Sequence, residues 1–102
     1  MMKQIELRLE VLLSLQTALL GEVPPNLRGV TSNWDTSALV IHCIFDGAIL
    51  EEDRESMECV ATEVNANFPE DYQVLLECIR RDAPQSLQTD MPLEWVYQRR
   101  EP

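Results

Sequence analysis

"ALVIHCIFDGAILEEDRESMECVATEVNANFPEDYQVLLECIRRD", residues 38–82, changes its hydrophobic period twice. Over its first eight residues, Leu39, Ile41, Cys43 and Phe45 share one face and Val40, His42 and Ile44 the other. A strand apolar on both faces is central in its sheet or covered on both sides. Asp46-Gly47 breaks it. From about Glu51 to Asn67, Met57, Val60, Ala61, Val64 and Phe68 recur at three- and four-residue spacing, which predicts a helix with a narrow apolar stripe. Phe68-Pro69 ends it. "YQVLLECIRRD" then returns to a period of two, with Tyr72, Val74, Leu76 and Cys78 opposite Gln73, Leu75, Glu77 and Ile79.

Working outward, residues 3–20 carry a second helical period. Ile5, Leu9, Leu12, Leu13, Leu15, Leu19 and Leu20 are expected on the core, with Lys3, Glu6, Glu10, Ser14 and Thr17 on the opposite stripe. Gly21 and Pro24-Pro25 stop that helix. "LRGVTSNWD" places Val30 and Trp34 on one strand face and Thr31 and Asn33 on the other, and Asp35-Thr36-Ser37 turns it into residues 38–45 as an antiparallel hairpin. "LEWVYQRR" is the last strand, with Trp95 and Tyr97 alternating on it. The expected class is α+β, in the order α-β-β-α-β-β: a two-layer sandwich with two helices on one face of a four-stranded antiparallel sheet. Moving the last strand to the front gives β-α-β-β-α-β, so the arrangement is compatible with a circular variant of the ferredoxin-like fold. One sheet face is then open. Residues 1–102 read as a single domain.

The net charge of −10 is concentrated: residues 51–71 carry −7 of it, from eight acids and one arginine. Such a field repels nucleic acid and anionic membranes, so neither is an expected partner; it favours a basic protein, or simply solubility. Glu51, Glu52 and Asp53 sit where a helix dipole favours negative charge, which accounts for three of the eight without function. No apolar run reaches ~18 residues, and Glu6, Arg8 and Glu10 interrupt any leader-like reading of the N-terminus. With an odd cysteine count (Cys43, Cys59, Cys78), a cytoplasmic location with reduced thiols is expected.

Chemistry-bearing patterns are sparse. Zinc wants four ligands, and His42, Cys43, Cys59 and Cys78 supply the types. Yet His42 and Cys43 are strand neighbours pointing to opposite faces, and no Cys-x-x-Cys or His-x-x-His pair exists. The cysteines all fall on stretches rich in apolar residues, where a free thiol packs as a small hydrophobe. A Cys–His catalytic pair fails on the same geometry unless Cys59 or Cys78 reaches His42 across the sheet; no catalytic residue, metal or cofactor is expected, and the chain reads as non-enzymatic. Trp34 and Trp95, on predicted strands, are either core or anchors for a partner.

"NLRGVTSNWD", "IFDGAILEEDRESMECVATEVNANFPEDY" and "EWVYQRRE" resemble small bacterial immunity proteins of the contact-dependent growth inhibition type, from polymorphic toxin systems. Leu50 stands where that family pattern has a helix-capping serine. The resemblance implies a non-enzymatic inhibitor that binds one cognate toxin domain in the cytoplasm, often a nuclease; the acidic charge makes a basic toxin the expected partner, and a monomer or weak homodimer is expected. Charge and periodicity then nominate Glu51, Glu52, Asp53, Glu55, Glu58 and Glu63 as the electrostatic part of the interface, and Trp34 and Trp95 as anchors. The alternative is an interaction module or subunit with no toxin partner.

Overall fold

The computed structural model describes residues 4–87 and 94–101. Its elements are α1 (Gln4–Leu19), β1 (Leu27–Trp34), β2 (Ala38–Phe45), α2 (Glu51–Asn65), β3 (Gln73–Arg80) and β4 (Glu94–Gln98). Lys3 and Leu93, expected at the ends of a helix and a strand, lie outside the described residues.

Gly21, at φ 79°, ends α1 in the left-handed region that glycine enters without strain. The β1–β2 turn is held by one carboxylate: Asp35 Oδ1 accepts from the Ser37 amide (2.8 Å), the Ser37 hydroxyl (2.8 Å) and the Ala38 amide (2.9 Å). These bonds, the Ser37 amide first, hold the Asp35 carboxyl below the usual range.

α2 then decides the topology. A helix of 15 residues is about 22 Å long, and an eight-residue strand spans about 26 Å. The chain climbs along β2, returns along α2, and must start β3 at the end where β2 started. β2 and β3 are therefore parallel, paired from Ala38↔Gln73 to Phe45↔Arg80. β1 is antiparallel to both β2 and β4, and the strand order is β3-β2-β1-β4. The expectation of an antiparallel sheet is thus corrected: the sheet is mixed. The ferredoxin-like variant fails as well. Its split β-α-β unit needs a strand between the two that the helix joins, whereas β2 and β3 are direct neighbours and β4 lies at the far edge, beside β1.

Both helices bury their inner faces in one cluster with the helix-side residues of the sheet: Leu7, Val11 and Leu15 from α1, Met57, Val60 and Val64 from α2, and Val30, Leu39, Ile41, Cys43 and Phe45. α1 is rotated relative to its expected orientation. Leu7, Val11, Ser14, Leu15, Ala18 and Leu19 are buried, while Ile5, Leu9, Leu13 and Leu20 face solvent. Ser14, expected outside, accepts a hydrogen bond from Asn67 Nδ2 at 3.2 Å, which ties α1 to the end of α2.

The opposite end of the sheet is closed by charge. Arg28, 2% exposed, donates to both Glu101 oxygens at 2.7 and 2.9 Å and to the carbonyls of Arg81 (2.7 Å) and Gln85 (2.9 Å). Arg99 bridges Asp46 (3.2 Å), Glu101 (3.0 Å) and the Pro25 carbonyl (3.0 Å). The β1 start, the segment after β3 and the C-terminal strand are joined in one network. The Arg28 guanidinium, and Arg99 beside it, hold the Glu101 carboxyl down at about 2.

Two outcomes follow from this packing. Leu15→Ala should lower the unfolding free energy by about 2–5 kcal/mol, whereas Leu9→Ala should stay within about 0.5 kcal/mol; equal losses by urea titration would return Leu9 to the core. Glu101 keeps its proton off in the folded chain down to about 2, against an ordinary value of 4.5. Its contribution to stability is therefore complete above the ordinary value and disappears as pH falls through that interval. Thermal midpoints of Glu101→Gln should be depressed at neutral pH and converge on the unsubstituted chain at low pH; a constant gap would contradict this.

Candidate partner-binding surface

On α2 the narrow buried stripe, Met57, Val60 and Val64, faces the sheet. Leu50 at the N-cap makes no side-chain capping bond, so the first-turn acids Glu51, Glu52 and Asp53 are what favour the exposed amide end. Outside, Glu51, Glu52, Glu55, Glu58 and Glu63 are exposed and Asp53 is half-buried. Glu55, Glu58, Cys59, Thr62 and Glu63 line a shallow groove of about 550 Å³. The ion pairs found among the described residues involve none of the six acids nominated from sequence.

Beside this acidic face lies a second apolar stripe of α1. Ile5 (68% exposed), Leu9 (52%) and Leu13 (60%) follow one another at four-residue spacing, with Leu20 (78%) beyond them. They project on the side of α1 opposite its buried residues. Both helices lie side by side on one sheet face, so both outward faces belong to one surface of the molecule. A helix apolar on all sides is ordinarily buried on all sides. Sequence reading assigned these leucines to the core, because two opposed apolar stripes leave the helical period no preferred direction.

The tryptophans separate. Trp34 pairs with Leu39, packs on the core from the helix side, and joins Ile5, Leu7, Arg8 and Asp35 around a recess of about 630 Å³ at the start of α1. Trp95 is on the other face. A β-bulge in the β1–β4 pairing sets Tyr97 against Val30 and Trp95 against Thr31, so the two aromatics point to opposite faces rather than alternating along one. Trp95 lies over Gly29: a Cβ there would meet its ring at 2.7 Å, so glycine is required for this contact. Seven of the eight nominated residues thus belong to the helix side, and Trp95 belongs to the open sheet face.

That open face carries His42, whose Nε2 is 3.2 Å from Glu77 and whose Nδ1 is 3.4 Å from the Thr31 hydroxyl. Cys43 and Cys78 are in register on the helix side, so the sheet separates His42 from both. The three cysteines are not alike, as sequence reading had them. Cys43 is buried, Cys78 half-buried, and Cys59 exposed on the acidic face of α2. Among the described residues no three His, Cys, Asp or Glu side chains gather in a way that could hold a metal ion. None of their helices is long and apolar enough to cross a membrane. Sequence reading also missed the Arg28–Glu101 pair, 73 residues apart, for which no local pattern exists.

The helix side thus gathers exposed apolar side chains beside acids for which no ion pair is found among the described residues. No curated protein matches the chain. A family profile described as the MafI2 immunity protein does match, over residues 8–101, a span that starts within α1 and runs through β4. The chain belongs to the MafI2 immunity protein family.

Proposed function

We propose that the protein neutralises its cognate toxin by laying the outer surface of its helix layer against it. The leucines of α1 supply the desolvated centre, Trp34 anchors one end, and the acids of α2 oppose basic groups of the toxin. The observation that carries this reading is the second apolar stripe of α1 beside acids for which no ion pair is found among the described residues. An exposed apolar patch rimmed by charge is the usual mark of a protein interface. A toxin domain that acts on nucleic acid must present a basic groove to phosphates, which makes a nuclease of the contact-dependent type the best complement to this face. Inhibition is then by occlusion, in the cytoplasm where such a nuclease would act, with the immunity protein acting as a monomer or weak dimer and doing no chemistry of its own.

Opposed charge acts chiefly on association, and desolvated apolar contact on dissociation. Glu55→Lys/Glu58→Lys/Glu63→Lys should slow association with the toxin encoded beside this chain by roughly tenfold or more at low salt, and flatten its salt dependence. Leu9→Ser/Leu13→Ser should instead raise the dissociation rate about tenfold or more. Surface plasmon resonance reads both constants. Unchanged kinetics in both variants, with circular dichroism showing the fold intact, would remove the helix layer from the interface.

A further inference from the structure

Cys43 and Cys78 are Cα partners in the parallel β2–β3 pair, and both lie on the helix side of the sheet. Neighbouring strands are about 4.8 Å apart, inside the ~4.4–6.8 Å range of Cα separations that a disulfide spans. The two side chains therefore face the same way from directly paired positions on neighbouring strands. Their accessibility differs: Cys43 is buried and Cys78 half-buried. We propose that Cys43 and Cys78 form a dithiol site that peroxide-class oxidants convert into an intramolecular disulfide joining β2 to β3. This goes beyond toxin binding and does not depend on it.

The order of events follows from position and charge. Cys78 is the thiol that solvent reaches. The adjacent Cys43 thiol, and Arg54 nearby, outweigh burial and the neighbouring Glu58 and lower its pKa. Cys43 keeps its proton, because Cys78 and burial both push its pKa up. The Cys78 thiolate attacks one peroxide oxygen: an S–O bond forms, the O–O bond breaks, and the departing hydroxide takes a proton to become water. The Cys43 sulfur then attacks the Cys78 sulfenic sulfur, and its proton leaves with the hydroxyl as a second water. Two electrons and two protons pass from the thiols to one peroxide, and the products are a disulfide and two waters. The pre-aligned second thiol makes the disulfide rather than a sulfinic acid the end point. Cys59 stands apart on the outward face of α2, where it would cross-link one molecule to another.

The test uses the full chain carrying Cys59→Ser, exposed to hydrogen peroxide and followed by intact mass and non-reducing peptide mapping. The expected product is a monomer lighter by two hydrogen atoms, with the Cys43 and Cys78 peptides linked and both thiols recovered after dithiothreitol. Oxygen added at Cys78 with Cys43 still free, a disulfide-linked dimer, or two thiols that remain fully alkylatable on unfolding would each overturn the proposal.

Discussion

Burial of Met57, Val60 and Val64 against β2 and β3 is the constraint from which the rest of the molecule follows. A helix with only one narrow apolar stripe has one way to lie on a sheet. Lying there, it returns the chain to the start of β2, makes β3 parallel to it, and places Cys43 beside Cys78. The same orientation leaves the acids of α2 off the buried stripe, with Glu51, Glu52, Glu55, Glu58 and Glu63 exposed and Asp53 half-buried. The acidic surface is thus a consequence of how the core is closed.

α2 carries a single cation, Arg54, and the arginines found in ion pairs lie elsewhere. Arg28, Arg80 and Arg99 pair with Glu101, Asp82 and Asp46 at the end of the sheet, and Arg8 pairs with Glu94. Basic groups are neutralised where they hold chain segments together, and the net negative charge is left over α2. Because the Arg28–Glu101 pair is desolvated on the arginine side and bidentate, it fixes geometry more than an exposed pair would. The leucines of α1 complete the division: one stripe closes the core, and the other remains on the surface next to the acid.

What could be read from sequence was what repeats locally. The two helices, the hairpin and the strand after α2 each announce themselves by period and by Gly, Pro or Asp at their ends. The direction of β3 was available in principle, since a helical crossover between neighbouring strands forces them parallel, but which strands are neighbours depends on where β4 docks. That docking is set by Arg28 and Glu101, far apart in the chain and unmarked by any motif. The acids were legible as a surface because charge must be solvated. Ile5, Leu9, Leu13 and Leu20 were not, because leucine on a helix signals burial without naming what buries it. The bulge that sends Trp95 to the far face is a single unpaired residue, invisible to a reading based on alternation.

The central claim is that the protein acts through the outer surface of its helix layer, and hydroxyl-radical footprinting of the free and toxin-bound chain tests it most directly. The account predicts that oxidation of Leu9, Leu13, Leu20 and Cys59 falls on binding while Leu75 and Trp95, on the open sheet face, are unchanged. Protection of Leu75 and Trp95 with the α1 leucines still fully reactive would contradict it and move the interface to the other side of the sheet.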